Sequence, residues 1–149
     1  MADKSFQREF LETHNAYRAK HSTPPMSLSS ELTAAAQKWA EHLLAIGALQ
    51  HSVTKDGENI FNMSSSAPIH LTGKEAVDLW YNEMKYYSWS NPGFSNVTGH
   101  FTQVVWKDST ELGVGMATDG KRVFVVGKYR PAGNMNMAGY FDTNVLPLA

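Results

Sequence analysis

The stretch Gly99–Trp106 (GHFTQVVW) combines β-branched residues, large aromatics and a histidine, and the rest of the chain is expected to be organised around it. Its β-branched and aromatic side chains predict a strand. Because side chains alternate across a strand, His100, Val104 and Trp106 are expected to share one face. A strand that buries Trp106 would hold His100 rigidly at the rim of that face, as a functional site requires.

The composition of the 149 residues is typical of one soluble globular domain, residues 1–149, with 42% hydrophobic and 18% charged side chains. Thirteen basic and fourteen acidic residues are dispersed and leave a formal charge of -1, which argues against a nucleic-acid partner. The chain contains no cysteine, so disulfides, thiol catalysis and cysteine-based zinc sites are excluded.

The amino terminus lacks the apolar segment of a secretory signal, and no apolar run approaches the length needed to cross a bilayer. Ala2 stands where N-myristoylation needs glycine. We therefore expect a cytoplasmic protein that is not secreted and has no myristoyl anchor.

Apolar residues at helical spacing predict three helices in the first two-thirds of the chain. Gly47 is expected to end the second helix in a left-handed conformation, and Thr72 and Glu75 form a capping box that starts the third. The predicted bounds are Ser5 to about His21, Ser29 or Ser30 to Gly47, and Thr72 to Asn91.

The second part of the chain has the signature of β structure. Asp119-Gly120 is a strong hairpin signal between two of the expected strands. A serine-rich loop is predicted over residues 62–71 and a covering tail over residues 134–149. The predicted strands are Phe101–Trp106, Gly113–Thr118 and Arg122–Tyr129. Helices followed by an antiparallel meander predict an α+β sandwich.

Four polar residues have no evident role in this local structure, namely His51, Glu58, Glu83 and His100. Glu83 lies three residues after Trp80 on the third helix, so it is expected on the core side, where a carboxylate needs a partner.

Three interpretations of these four residues are open. Two imidazoles could bind zinc or another divalent cation, with the two carboxylates as further ligands or as orienting groups. The same set could perform general acid–base chemistry on water. Alternatively, the pairs are structural hydrogen bonds, and spacing alone favours this view because no short metal motif is present.

Serine catalysis is a further alternative, because Ser64 follows Glu58 closely and His51 could act as its base. The nucleophile elbow Gly-x-Ser-x-Gly is missing around it, which favours a flexible serine-rich loop. The remaining histidines are expected to be structural or exposed: His14, His21, His42 and His70.

Aromatic residues cluster near the end of the third predicted helix, with Tyr87, Trp89 and Phe94 flanking a Pro-Gly turn. Such a cluster can form core, a dimer surface or an interfacial lipid contact, and core is the base expectation in so aromatic a chain.

Five ordered motifs resemble those of the CAP superfamily, which comprises cysteine-rich secretory proteins, antigen 5 and pathogenesis-related proteins. They cover nearly the whole chain, and the GHFTQVVW segment is the most specific of them. The motifs are His14–Arg18 (HNAYR), Gly57–Asn59 (GEN), Trp80–Glu83 (WYNE), Gly99–Trp106 (GHFTQVVW) and Tyr129–Asn134 (YRPAGN).

The resemblance implies an α-β-α sandwich in which helices flank a small antiparallel sheet. It also implies that the four polar residues converge in one cleft, where His51 and His100 can hold zinc. Tyr87, Trp89 and Phe94 match the aromatic spacing that sterol-binding relatives carry. Gly127 stands where secreted relatives usually have cysteine, which agrees with the family's intracellular, Golgi-associated branch.

The resulting hypothesis is a non-enzymatic intracellular module that binds sterol or anionic lipid and protein partners, with a modulatory divalent-metal cleft. It would lie in the cytoplasm, peripherally on the cytosolic face of Golgi membranes. Two alternatives remain: a metal-assisted or serine hydrolase that uses the same cleft through His51, Glu58 and Ser64, and a homo-oligomeric scaffold such as a homodimer.

Overall fold

The computed structural model describes residues 3–149, so the prediction based on Ala2 lies outside the described residues. The helices and strands follow the order α1 (Lys4–Lys20), β1 (Ser27–Leu28), α2 (Ser30–Ile46), β2 (Gly57–Ser64), α3 (Gly73–Tyr81), a 3-10 helix (Asn82–Tyr86), α4 (Gly99–Val104), β3 (Glu111–Thr118), β4 (Arg122–Arg130) and α5 (Tyr140–Asn144). No helix within residues 3–149 is both long and apolar enough to cross a membrane.

The capping signals of the second and third helices are confirmed. The Ser29 side chain accepts a hydrogen bond from the Leu32 N–H, and Gly47 ends α2 in the left-handed region with φ 65°. Thr72 and Glu75 form the expected capping box. The third helix is shorter than predicted, because after Tyr81 the chain tightens into the 3-10 helix and then becomes extended.

The strand predicted at the GHFTQVVW segment is wrong, because residues 99–104 form the short helix α4. The Glu83 carboxylate accepts hydrogen bonds from the backbone N–H groups of His100 and Phe101, which would otherwise lack partners at the helix start. The segment is apolar because it is buried on all sides, not because it alternates. A cap that comes from seventeen residues earlier leaves no local signal in the sequence.

The strands form one sheet in the order β1-β3-β4-β2. The hairpin β3–β4 is confirmed, with Gly120 in the left-handed region at its turn. β2 pairs antiparallel with β4 along its whole length and extends to Ser64, into the predicted loop. The two-residue β1 runs parallel to β3, so the sheet is mixed and not wholly antiparallel.

Helices cover both faces of the sheet, as the predicted sandwich requires. Phe124 and Val126 of β4 pack against α2, whereas Val123 and Val125 join the larger core on the opposite face. α2 lies very close to the sheet, since a Cβ atom on Gly115 would lie 2.3 Å from the Ala36 backbone.

Polar side chains within the larger core connect α1 to the rest of the molecule. Arg18 is fully buried and donates hydrogen bonds to four backbone carbonyls. His14 and His21 are also fully buried, which agrees with a structural role, and each ring bonds a tyrosine hydroxyl. His42 and His70 are exposed on the surface, as expected.

Candidate functional site

His51 and His100, the two histidines predicted to form a site, line one surface cleft with a volume of about 210 Å³. The loop before β2, the start of β2, the start of α4 and the segment after β4 each contribute to its wall. Its lining residues are His51, Glu58, Asn59, Phe94, Asn96, Gly99, His100 and Asn134. Glu83 lies behind this lining and reaches the cleft through His100.

His51 and Glu58 form the first histidine–carboxylate pair. The distance from His51 Nδ1 to Glu58 Oε1 is 2.8 Å, and the same oxygen accepts the Ser52 backbone N–H at 2.9 Å. Glu58 Oε2 accepts from the Ser52 hydroxyl at 2.5 Å and from Lys128 Nζ at 2.9 Å. Both carboxylate oxygens therefore have two donors within the protein.

The charge state of Glu58 follows from these contacts. Burial alone would raise its pKa, but the hydrogen bonds from His51, Ser52 and Lys128 outweigh burial and lower the pKa to about 2. Glu58 is consequently an ionised acceptor at neutral pH, and the adjacent His51 nitrogen donates to it.

His100 and Glu83 form the second pair. His100 Nδ1 lies 2.8 Å from Glu83 Oε2, while Glu83 Oε1 accepts the N–H groups of His100 and Phe101 at 2.9 and 3.2 Å. The Trp80 ring is nearly parallel to the imidazole of His100, with centroids 6.0 Å apart. One carboxylate thus fixes both the ring and the start of α4.

Two asparagines brace the α4 side of the cleft. The Asn59 amide donates to the His100 carbonyl at 3.0 Å and to the Tyr129 hydroxyl at 3.2 Å. The Asn134 amide donates to the Gly99 carbonyl at 2.9 Å, and its oxygen accepts from Thr102. Both asparagines belong to the quoted motifs, yet sequence reasoning assigned neither of them a role.

The orientation of the two imidazoles bears on the predicted zinc ion. In both pairs the carboxylate holds Nδ1, so Nε2 is the nitrogen available to a metal, and this is how ligating histidines are usually oriented. Within residues 3–149 no three His, Cys, Asp or Glu side chains are placed to hold a metal together. Two oriented imidazoles on one cleft are donors of the kind that zinc takes, and Glu58 and Glu83 orient them.

The serine-hydrolase arrangement through Ser64 is not formed. Ser64 and Glu58 lie on the same strand, β2, six residues apart, and the strand rise separates them by about 20 Å. Ser52 is the serine that contacts Glu58. Its hydroxyl donates to a carboxylate whose low pKa makes it a poor base, so this contact does not activate a nucleophile.

The three aromatic residues proposed for lipid contact differ in exposure. Tyr87 is buried, with 7% of its surface exposed, and packs on Phe101, so its predicted lipid contact is not available. Trp89 and Phe94 are 39% and 48% exposed, and Phe94 lines the cleft. The Tyr87 and Trp89 rings pack edge to face, with ring centroids 4.8 Å apart.

The cysteine-rich secretory protein family, CAP, has a family model that matches residues 11–129. The chain belongs to the CAP family. Golgi-associated plant pathogenesis-related protein 1 of Homo sapiens is 44% identical to it over 98% of this chain and 96% of the relative. Protein PRY2 of Saccharomyces cerevisiae is 40% identical over 97% of this chain, which spans 42% of that protein.

Solved structures of other proteins share the fold of this CAP chain. BmVAL-1 matches 99% of this chain and 84% of its own with a TM-score of 0.80 at 21% identity. NaASP2 with Zn2+ matches 99% and 88% with a TM-score of 0.75 at 22% identity. The family and the α+β fold expected from the five motifs are therefore confirmed.

Proposed function

We propose that this CAP protein is a non-enzymatic module that binds membrane lipid through apolar side chains beside a divalent-metal cleft. The observation that carries the proposal is the position of Phe94, which is half exposed and lines the same cleft as His51 and His100. A lipid surface or acyl chain that contacts Phe94 would therefore lie against the two imidazoles.

Further apolar side chains are exposed in the segments that border the cleft. Trp89 and Val97 lie on either side of Phe94 in the chain, and Met135 and Met137 follow the cleft residue Asn134. Exposed apolar side chains grouped around a polar site are typical of a membrane or partner surface. Sterol-containing or anionic membranes are the proposed lipid partners.

The metal proposed for the cleft is Zn2+, held by Nε2 of His51 and of His100. When bound, it would supply a positive charge that can attract a lipid phosphate or carboxylate. Glu58 and Glu83 would orient the imidazoles. The structural relative NaASP2, solved with Zn2+, supports the choice of this metal.

A location on the cytosolic face of Golgi membranes is also proposed, and the Golgi association named for the human relative supports the choice of that membrane. Protein partners and a homodimer are further proposals, supported by the exposed apolar side chains. Analytical ultracentrifugation over a range of concentrations tests the homodimer, which a constant monomer mass would contradict.

Sedimentation with liposomes tests the lipid proposal. The purified protein is mixed with sterol-containing anionic liposomes, with and without added zinc. We expect the wild type to sediment with the liposomes, Trp89→Ala/Phe94→Ala to stay in solution, and His51→Ala/His100→Ala to lose any zinc dependence. Ile46→Ala is the matched control, because Ile46 is similarly exposed but does not line the cleft.

Two outcomes would overturn parts of the proposal. Equal sedimentation of Trp89→Ala/Phe94→Ala and wild type would remove the aromatic residues as the lipid contact. Unchanged zinc affinity in His51→Ala/His100→Ala, measured by calorimetry, would remove the metal assignment. Hydrolysis of ester or peptide substrates that disappears in Glu58→Ala would instead favour the hydrolase.

A further inference from the structure

Lys128 is a buried cation next to the cleft that plays no part in the family motifs quoted above. Its side chain is only 4% exposed, and its Nζ lies 2.9 Å from Glu58 Oε2 and 3.0 Å from Ser52 Oγ. Glu58 is equally buried, with 3% of its side chain exposed. The attraction between the two charges is therefore little screened by water and salt.

The sheet places these two residues opposite each other. Glu58 of β2 and Lys128 of β4 are register partners in the antiparallel ladder, so their side chains emerge on the same face. The lysine approaches Glu58 Oε2, whereas His51 and the Ser52 N–H approach Oε1. Donors on both sides of the carboxylate leave it a single orientation.

We propose that Lys128 is a positioning residue of the cleft, which holds the Glu58 carboxylate so that His51 keeps Nε2 directed away from it and available to a metal. The proposal rests on the metal cleft of the proposed function. It adds a specific consequence: a carboxylate bound by Lys128 and Ser52 is not available as a metal ligand.

The second pair of the cleft is held differently. Glu83 is fixed by backbone N–H groups of α4, and none of the described lysine or arginine side chains forms an ion pair with it. Lys128 therefore acts on the His51 half of the cleft alone. A change at Lys128 should alter His51 and leave the ring of His100 as it is.

This position also affects which metal the cleft prefers. Imidazole ligands suit zinc, copper and nickel, whereas carboxylates suit magnesium, calcium and manganese. While Lys128 occupies Glu58, the cleft offers two imidazoles as ligands. Without the lysine, Glu58 Oε2 keeps the Ser52 hydroxyl as its one donor. The carboxylate and the His51 ring are then less firmly oriented, and Glu58 can turn towards the cleft, which disfavours zinc relative to manganese.

The test compares Lys128→Met with the wild type in two measurements. The first is the tautomer of each histidine in the metal-free protein at neutral pH, read from nitrogen-15 NMR of the rings. We expect His51 to change from one tautomer, protonated at Nδ1, to a mixture, with His100 unchanged. The second is calorimetry, in which the ratio of zinc to manganese affinity is expected to fall about 10-fold or more, as for other groups that orient metal ligands.

Three further variants complete the design. Lys121→Met removes a lysine at the hairpin turn, about 20 Å along β4 from Lys128, and should change neither measurement. Lys128→Arg keeps the cation and should restore the His51 tautomer. Lys128→Gln is a neutral but polar replacement that keeps the test decisive where the methionine variant fails to fold.

The outcomes separate the two proposals. A folded Lys128→Met or Lys128→Gln protein with the wild-type His51 tautomer and an unchanged zinc-to-manganese ratio overturns the positioning role. A His51 tautomer that changes in a protein whose wild type binds no zinc supports positioning by Lys128 and overturns the metal cleft. If Lys121→Met also changes the His51 tautomer, the effect is due to net charge, and the positioning role of Lys128 is overturned.

Discussion

His14 Nε2 accepts a hydrogen bond from the Tyr129 hydroxyl across 2.7 Å, and the same hydroxyl oxygen accepts one from Asn59 at 3.2 Å. Three elements, α1, β4 and β2, thus meet at one buried oxygen atom. The other ring nitrogen of His14 donates to the Phe10 carbonyl at 2.8 Å. The imidazole is therefore neutral and satisfied on both sides, although it has no contact with the cleft.

Protonation of His14 should destabilise the fold at acid pH. Burial lowers its pKa from 6.5 to about 3, so the unfolded chain takes up this proton first as the pH falls. The stability that the neutral ring contributes is complete above pH 6.5 and is lost progressively between 6.5 and 3. For this group the slope approaches about 1.4 kcal/mol per pH unit.

The measurement is the free energy of urea unfolding at several pH values between 7 and 4. His14→Gln should be less stable than the wild type at pH 7 and should show a flatter pH dependence. Buried His21, whose pKa is also lowered by burial, accounts for part of the slope that remains. A slope in His14→Gln equal to that of the wild type would contradict the prediction.

Arg18→Lys should destabilise the protein strongly, although it conserves the charge. The guanidinium donates to the carbonyls of Pro24, Val104, Trp106 and Ser109 at 2.8 to 3.1 Å. A lysine ammonium cannot reach all four, and each buried carbonyl left without a donor costs about 1–3 kcal/mol. We expect a loss of about 3 kcal/mol or more in urea unfolding, and no measurable loss for Arg8→Lys on the exposed side of α1.

Gly115→Ala should separate α2 from the sheet. The new Cβ would lie 2.3 Å from backbone atoms of Ala36, and neither backbone can move aside easily. Overpacking of this kind costs about 1–3 kcal/mol or more. Gly93→Ala is the control, because nothing lies within 4 Å of its added Cβ. Equal thermal midpoints for the two variants would mean that the α2–sheet contact is looser than described.

Glu58→Gln should cost much more stability than Glu75→Gln at pH 7. The first change leaves the buried Lys128 without its counter-charge, and removal of one partner of a buried ion pair costs about 3–5 kcal/mol. In the second, glutamine can replace glutamate in the capping box of α3. Urea unfolding of both variants measures the difference, and similar losses would argue that the Lys128 contact contributes little.

Local signals explain which parts of the fold were predictable. Ser29, Gly47 and the Thr72–Glu75 box mark helix ends through bonds within a few residues, and Asp119-Gly120 marks the hairpin in the same way. The helix α4 was mistaken for a strand because its cap, Glu83, comes from a distant segment. Likewise, β2 extends into the predicted loop because it pairs with β4. This pairing is between distant segments, so the residues near β2 in the sequence do not indicate it.

The candidate site was predictable to a similar degree. The lack of a local role singles out His51, Glu58, Glu83 and His100, and the family resemblance predicts their shared cleft. The structure places them in two hydrogen-bonded pairs at one cleft. Lys128 was missed because a lysine at the end of a strand usually faces solvent. Only the strand register, which opposes it to Glu58, reveals its contact. Ser64 is close to Glu58 in the sequence, but the two residues lie far apart in space because the chain between them is an extended strand.

Glu83 has both a site role and a structural role, and this determines how mutagenesis of the cleft should be interpreted. The Glu83 carboxylate bonds both the His100 imidazole and the N–H groups of the first turn of α4. Its deletion would therefore release the ring and destabilise the start of α4 together. A defect in Glu83→Ala would therefore confound binding with folding. Replacement of His100 removes the ring, but the backbone N–H groups that bond α4 to Glu83 remain. Substitution of the histidine therefore tests the role of the cleft without disturbing the start of α4.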